Sequence, residues 1–216
     1  MRPFVVLCCF LTTSFLTGQS QKEITNVRTK LDINANWRFV KGEQSEAVTK
    51  ADFDDSAWEQ VNIPHTMELV SNDIFALGDE PTQEFFQRFI GYYRKELTVD
   101  AKAGQKVFLE FEGAHQVTKC WVNGQYVGEN NLGGYTPFHF DITAFLRPNG
   151  QKNVVVLSVD KRKNLTIPPD GGQMDYLLFS GIYRDVYLVV TNPVHVTFNW
   201  DAQNSRGRFT GIRLVP

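Results

Sequence analysis

Apolar and polar residues alternate along much of the chain, in short runs separated by turn-forming residues. The alternation is clearest between residues 111 and 143, where Asn123-Gly124 interrupts it. An Asn-Gly pair favours a two-residue turn between antiparallel strands, because both positions tolerate a positive φ angle. The pattern therefore predicts a β-hairpin with Val122 and Val127 flanking its turn.

Similar alternation predicts most of the remaining strands. The runs lie at residues 37–39, 91–99, 107–111, 138–142 and 180–188, and the first strand is expected to begin at Trp37. Residues 154–159 are apolar on both faces, which is typical of a central strand covered on both sides. Because helical periodicity is scarce between Leu31 and Val190, we predict an all-β fold of antiparallel sheets.

The composition indicates an ordinary globular protein. With 216 residues, 42% of them apolar, and a formal net charge of −2, the chain is typical of a globular protein with one domain, or one and a half. It lacks the excess of basic residues that nucleic-acid binding requires. We therefore expect no nucleic-acid partner.

The N-terminus differs from the rest of the chain. Arg2 precedes an apolar run at residues 4–16, and small residues follow it up to Ser20. This order is typical of a signal peptide, and the run is too short to span a bilayer comfortably. We interpret residues 1–20 as a signal peptide and residues 21–30 as a linker. The prediction is an exported protein, periplasmic or extracellular, with no membrane contact after cleavage; a buried N-terminal helix or a membrane anchor is the alternative.

Several linked motifs resemble one protein family. They are Phe111-Glu112-Gly113, Trp121-Val122-Asn123-Gly124, Val127-Gly128, the run Gly133 to Phe138, Asp141-Ile142-Thr143, and Ser180 to Val186. Together they resemble the N-terminal sugar-binding domain of glycoside hydrolase family 2, which includes β-galactosidases, β-glucuronidases and β-mannosidases. The resemblance implies a jelly-roll β-sandwich, similar to galactose-binding domains, over residues 31–197.

One candidate substrate-binding residue follows from the resemblance. In the family's β-galactosidases, an aspartate five residues before this Ser-Gly contacts the sugar, and Asp175 occupies the matching place. The alternative is a loop carboxylate that caps a nearby turn. Residues 67–90 show no clean period and are predicted to form a long loop, which in the resembling enzymes can approach the active site. Arg184 and Asp185 alternate in the final motif and are predicted to be cross-strand partners.

Other candidate chemical groups have a structural interpretation that we prefer. Glu110 and Glu112 would lie about 7 Å apart on one strand, a separation used in glycoside hydrolysis, but nothing nearby splits their pKa values. His65 has no second ligand in its neighbourhood and is expected to be a structural hydrogen-bonding group. Cys120, the single cysteine after signal removal, is expected to be buried. We therefore predict no catalytic residue, metal or cofactor.

Two functions remain open. In the first, the chain is the sugar-binding part of an exported β-galactosidase-like hydrolase, inactive alone, with residues 198–216 as an irregular tail. Its partners would be a β-galactoside or related glycan, an immunoglobulin-like domain, and a catalytic barrel, which needs about 250 residues of its own. In the second, it is a free-standing carbohydrate-binding or interaction module. Tyr126, Tyr135 or Tyr176 could then stack on sugar rings.

Overall fold

The structure is a computed structural model that describes residues 28–67, 90–148, 150–162, 164, 166–167, 179–196 and 214–215. Within these residues the chain forms strands and two short 3₁₀ helices, Glu46–Thr49 and Thr143–Phe145, with no α-helix. The strands are β1 (Arg28–Asp32), β2 (Trp37–Lys41), β3 (Glu59–Val61), β4 (Ile90–Thr98), β5 (Lys106–Phe111), β6 (Val117–Val122), β7 (Gln125–Asn130), β8 (Phe138–Asp141), β9 (Lys152–Asp160), β10 (Val186–Thr191), β11 (His195–Val196) and β12 (Leu214–Val215). The predicted signal peptide lies outside the described residues.

The described strands form two larger antiparallel sheets. One has the order β1-β10-β5-β8 and the other the order β3-β2-β4-β9-β6-β7, while β11 and β12 pair separately. Buried residues of both larger sheets belong to one hydrophobic core, so the sheets pack face to face. The predicted all-β, antiparallel sandwich is confirmed.

The local predictions for the hairpin and the central strand are also confirmed. Asn123 and Gly124 join β6 to β7 with φ angles of 53° and 84°, as a two-residue hairpin turn requires. β9 lies between β4 and β6, and its residues 153–159 are all buried. Both faces of β9 are therefore covered.

Aromatic residues fill much of the core. The rings of Phe111 and Phe138 stack with centroids 4.8 Å apart, and Phe140 meets Phe111 edge-on at 5.9 Å. Such pairs add roughly 0.5–1.5 kcal/mol to the free energy gained by burying the rings. Cys120 is fully buried, and desolvation raises the pKa of its thiol. The interpretation of Cys120 as a small apolar core residue is confirmed.

Three boundaries differ from the sequence predictions. The first strand begins at Arg28 rather than at Trp37, so residues 28–30 of the predicted linker belong to the sheet. β12 pairs with β11, so residues 198–216 are not irregular throughout. β10 begins at Val186, so Arg184 and Asp185 precede the strand and are not cross-strand partners. Each boundary is set by pairing with a strand that is distant in sequence or across a gap: β1 with β10, β12 with β11, and β10 with β5.

The connection between β2 and β3 crosses the outer face of the six-stranded sheet, where Arg94 holds it. Arg94 is 2% exposed, and its Nε donates to the Asp55 carboxylate at 2.8 Å. Its guanidinium also donates to backbone carbonyl groups of the connection, at Val48, at Lys50 (3.0 Å) and at Phe53 (3.3 Å). Satisfying a buried guanidinium in this way removes most of the cost of burying its charge. The connection is therefore fixed in place.

Candidate functional site

The strand registers define two ends of the sandwich. Ile90 pairs with Asp160, which also pairs with Val117, so these strand ends meet at one end. We call it the loop end, because the long connections 68–89 and 161–185 leave from it. At the other end Thr98 pairs with Lys152 and the Asn123-Gly124 turn follows β6. We call this the turn end.

Backbone hydrogen bonds tie distant segments together at the loop end. The amide of His115 donates to Gly181 O at 2.9 Å, and the amide of Gly181 donates back to His115 O at 3.2 Å. His65 and Met67 donate to the carbonyl groups of Ile182 and Ser180 at 2.8 and 2.9 Å. Three segments that are far apart in sequence therefore share one framework.

His115 is the most unusual side chain of this framework. It is 3% exposed, its ring lies 5.2 Å from that of Tyr135, and its Nδ1 has no hydrogen-bond partner among the described residues. Burial, together with the positive charge of Lys161, lowers the pKa of His115 to about 4. The imidazole is therefore neutral at physiological pH. It lies against Gly134, where an added Cβ would meet Nδ1 at 2.2 Å.

Tyr183, in the segment before β10, contacts Gly134 and Tyr135. Its hydroxyl donates to Gly134 O at 2.6 Å, and its ring lies 6.1 Å from that of Tyr135. The Tyr135 ring is 40% exposed. The loop end thus presents a partly exposed tyrosine ring on a rigid base, an arrangement suited to contact with a sugar ring.

His65 behaves as the structural group predicted from the sequence. Its Nδ1 forms a hydrogen bond with the Tyr93 hydroxyl at 2.9 Å, and its ring packs 4.8 Å from Phe39. Burial lowers the pKa of His65. The interpretation is therefore confirmed by its contacts.

Asp175, the predicted substrate-binding residue, lies outside the described residues, as does Tyr176. The described residues on both sides of segment 168–178 are nevertheless anchored at the loop end. Gln116 Nε2 donates to Ile167 O at 3.1 Å, and the Met67 amide donates to Ser180 O at 2.9 Å. The described residues that flank this segment in the sequence are therefore held by Gln116 and by Met67. The role of Asp175 stays a prediction.

Glu110 lies on β5, and Glu112 directly follows the end of that strand. Glu110 Oε2 forms an ion pair with Lys30 Nζ at 3.3 Å. The backbone amide of Glu112 donates a hydrogen bond to Asp185 O at 3.0 Å. Asp185 is itself held by Asn34 Nδ2 at 3.0 Å and by the Tyr187 hydroxyl at 3.1 Å. The ion pair supports the structural interpretation of Glu110, whereas the contact at Glu112 is made by its backbone, so the role of its carboxylate stays a prediction.

Two further kinds of site are absent from the described residues, a metal-binding cluster and a membrane-spanning helix. No group of three or more His, Cys, Asp or Glu side chains is arranged to hold a metal ion within that part of the chain. Nor does any helix among the described residues have the length and apolar character needed to cross a membrane.

An antiparallel sandwich with a framework of long connections at one end defines a β-sandwich accessory domain. The model of the family described as "Glycosyl hydrolases family 2, sugar binding domain" matches residues 29–193, and the chain belongs to that family. It is 39% identical over 170 residues to a beta-galactosidase of Thermoanaerobacter pseudethanolicus, an alignment covering 78% of this chain and 22% of the relative. A putative beta-glucuronidase of Formosa agariphila is 33% identical over 194 residues, covering 89% and 22%.

Solved structures give the same result. A calcium-binding mutant of Bacteroides uniformis beta-glucuronidase 2 aligns with a TM-score of 0.65 and 33% identity, over 79% of this chain and 19% of that one. The chain therefore spans about a fifth of the length of these relatives. The predicted family is confirmed.

Proposed function

We propose that the chain is the sugar-binding domain of an exported glycosidase of the β-galactosidase and β-glucuronidase type, and that Asp175 contacts the substrate. The anchoring of Ile167 and Ser180 supports this proposal, because these two described residues lie on either side of Asp175 in the sequence and both are held at the loop end. The exposed ring of Tyr135 lies on the same framework. In general, a carboxylate can accept hydrogen bonds from sugar hydroxyl groups and an aromatic ring can stack on a sugar ring.

A titration of the isotopically labelled chain with galactose tests the Asp175 assignment. We expect the backbone amide signals of Gly134 and Gly181 to shift, and Asp175→Asn to abolish the change. Asp100→Asn removes an exposed carboxylate after β4 and serves as the matched control. Unaltered binding by Asp175→Asn would contradict the proposed role.

We propose that this chain alone hydrolyses no glycoside, since the Glu110 carboxylate is engaged in an ion pair with Lys30. Purified chain incubated with chromogenic β-galactoside and β-glucuronide is expected to show no turnover. Appreciable turnover by material free of contaminating enzyme would overturn this part of the proposal.

An immunoglobulin-like domain and a catalytic barrel are the partners we propose, because the relatives are about five times longer than the matched region. Reading the gene beyond the codon for Pro216 tests this directly. An unrelated gene after a stop codon would favour the second function. N-terminal sequencing of secreted material tests export, with cleavage expected near Ser20.

The second candidate is a free-standing carbohydrate-binding module, and two exposed aromatic rings favour it. Tyr126 is 50% exposed and Tyr135 is 40% exposed. Tyr176, the third tyrosine proposed for stacking, lies outside the described residues. Millimolar or tighter binding of sugars by the chain alone would favour this module over a domain that only braces a barrel.

A further inference from the structure

An open surface pocket of about 560 Å³ lies at the turn end. It is lined by Lys50, Ala51, Asp52, Asn123, Gly124 and Arg147. Its size falls within the range of small-molecule sites, roughly 300–1,000 Å³. The pocket therefore has room for one or two sugar residues.

Hydrogen bonds that need no ligand fix the pocket walls. Asn123 Nδ2 donates to Phe145 O at 2.9 Å and to Asn153 Oδ1 at 2.8 Å, while its Oδ1 accepts from the Val154 amide at 3.0 Å. On the opposite wall, Arg94 donates to Lys50 O at 3.0 Å. A site held in shape before binding avoids the entropy cost of ordering its walls.

The charged side chains of the pocket are available to a ligand. Lys50, Asp52 and Arg147 are exposed, and none of them forms an ion pair with another described residue. Arg147 donates one side-chain N–H to Lys152 O at 3.1 Å, and a guanidinium has five such donors. Lys50 and Arg147 can form charge-assisted hydrogen bonds with a ligand carboxylate, and Asp52 can accept hydrogen bonds from sugar hydroxyl groups.

An aromatic pair lies on the outer face of the six-stranded sheet, next in sequence to the Asn123-Gly124 turn. The cross-strand row Arg94, Val156, Trp121, Tyr126 places the tryptophan and the tyrosine on the outer face that Arg94 shares. Their ring centroids are 5.5 Å apart, and Tyr126 is 50% exposed. Trp121 precedes Asn123 by two residues, so it lies about 7 Å from the pocket wall.

We propose that this pocket is a second carbohydrate-binding site and that it takes a uronic acid residue of a glycan. Arg147 and Lys50 bind the carboxylate, Asp52 accepts a hydroxyl hydrogen bond, and the Tyr126 ring stacks on the neighbouring sugar. The site goes beyond the proposed role of Asp175 and does not depend on it. It would hold a glycan chain at a distance from the loop end.

Titration of the ¹⁵N-labelled chain with sodium glucuronate, at constant ionic strength, tests this site. We expect the Gly124 amide signal to shift in a saturable way, and Arg147→Gln to weaken binding about tenfold, as loss of a charge-assisted hydrogen bond implies. Lys119→Gln, an exposed lysine on β6, is the matched control and should bind as the wild type does. Asp175→Asn should also leave the Gly124 shift unchanged.

Three results would overturn the second site: no saturable shift of Gly124, equal weakening by Lys119→Gln and Arg147→Gln, or loss of the Gly124 shift in Asp175→Asn. Equal weakening would mean that glucuronate responds only to overall surface charge. Failure of the Asp175 assignment would appear separately, in the galactose titration followed at Gly134 and Gly181. The two proposals can therefore fail independently.

Discussion

The loop end and the turn end belong to the same strands but are held together by different kinds of contact. At the turn end, Asn123-Gly124 closes a hairpin between neighbours in sequence, and the Asn123 side chain secures it. At the loop end, His115 pairs with Gly181 and His65 with Ile182, which are distant in sequence. The turn end is specified locally, whereas the loop end exists only once the whole sandwich has formed.

This difference has a consequence for substitutions. A change in the backbone of the local turn that leaves the Asn123 side chain in place should affect stability mainly by the cost of that turn, because two neighbouring residues set its conformation. A change in the loop-end framework should disturb several segments together, because His115, Gly134 and Tyr183 share contacts. The loop end is therefore expected to be the more sensitive of the two.

The largest expected effect lies outside both ends, at the Arg94 contacts that secure one wall of the turn-end pocket. Arg94→Met leaves the Asp55 carboxylate and three carbonyl groups without their buried donor. We expect a loss of about 3–5 kcal/mol in the free energy of unfolding, measured by urea denaturation. Glucuronate binding at the pocket should weaken as well.

Lys152→Met is the matched control for Arg94→Met, since it removes an exposed cation that pairs with Glu96 at 2.7 Å. Its unfolding transition should be close to that of the wild type. Similar destabilisation by both variants would mean that the Arg94 contacts do not secure the connection.

The second effect is a pH dependence that arises at the loop end. The pKa of His115 is lowered to about 4 in the folded chain, whereas a histidine in the unfolded chain has a pKa of about 6.5. As pH falls, the unfolded chain therefore binds this proton before the folded chain does. The stability contributed by the neutral ring is complete above pH 6.5 and declines as pH falls towards 4. The decline amounts to roughly 3 kcal/mol.

Urea denaturation between pH 4 and 7.5 measures this slope for the wild type and for His115→Gln. The variant should lose most of the slope, whatever its absolute stability. His65→Gln is the comparison variant. Burial also lowers the pKa of His65, so this variant should lose a different part of the dependence of stability on pH. An unchanged slope in His115→Gln would show that its ring is not held neutral.

The third prediction compares a glycine at each end. In Gly134→Ala the new Cβ would lie 2.2 Å from His115 Nδ1, in a buried setting, and overpacking of this kind costs about 1–3 kcal/mol. In Gly124→Ala the nearest heavy atom is 3.7 Å away, and only the positive φ of 84° opposes the side chain. We expect about 1 kcal/mol there.

The positions of the amide signals distinguish the two variants further. Gly134→Ala should shift the amides of His115 and Gly181, whereas changes in Gly124→Ala should remain near the hairpin turn. Widespread changes in Gly124→Ala would contradict the distinction between a locally specified end and one built from distant segments.

The parts of the fold predicted from the sequence are those with a local physical cause. The Asn123-Gly124 turn is read from backbone freedom at two positions, and the burial of β9 from its unbroken apolar run. β1 was missed because Arg28–Asp32 is polar and mostly exposed. Only its pairing with β10, from Arg28 opposite Thr191 onwards, makes it a strand.

The candidate site was less accessible to sequence reasoning. Nothing around His115 in the sequence indicates a buried imidazole, because the groups that cover it, Tyr135 and the Gly181 backbone, come from later segments. Phe108, on the face of β5 that carries Glu110, is 6% exposed because the rings of His139 and His195, from other segments, pack against it. Asp175 came from the family resemblance rather than from any local pattern.

The smallest expected effect concerns Glu110, which lies on β5 between the two ends. Glu110→Gln removes an ion pair with Lys30 whose atoms are 3.3 Å apart and whose side chains are 40% and 22% exposed. Partly exposed pairs contribute below about 1 kcal/mol, and salt screens them. Urea denaturation should show a small loss at low salt that disappears in 1 M NaCl. A carboxylate adapted to acid-base chemistry would behave differently, since its removal commonly stabilises the fold; a clear gain in stability would therefore contradict the structural role of Glu110.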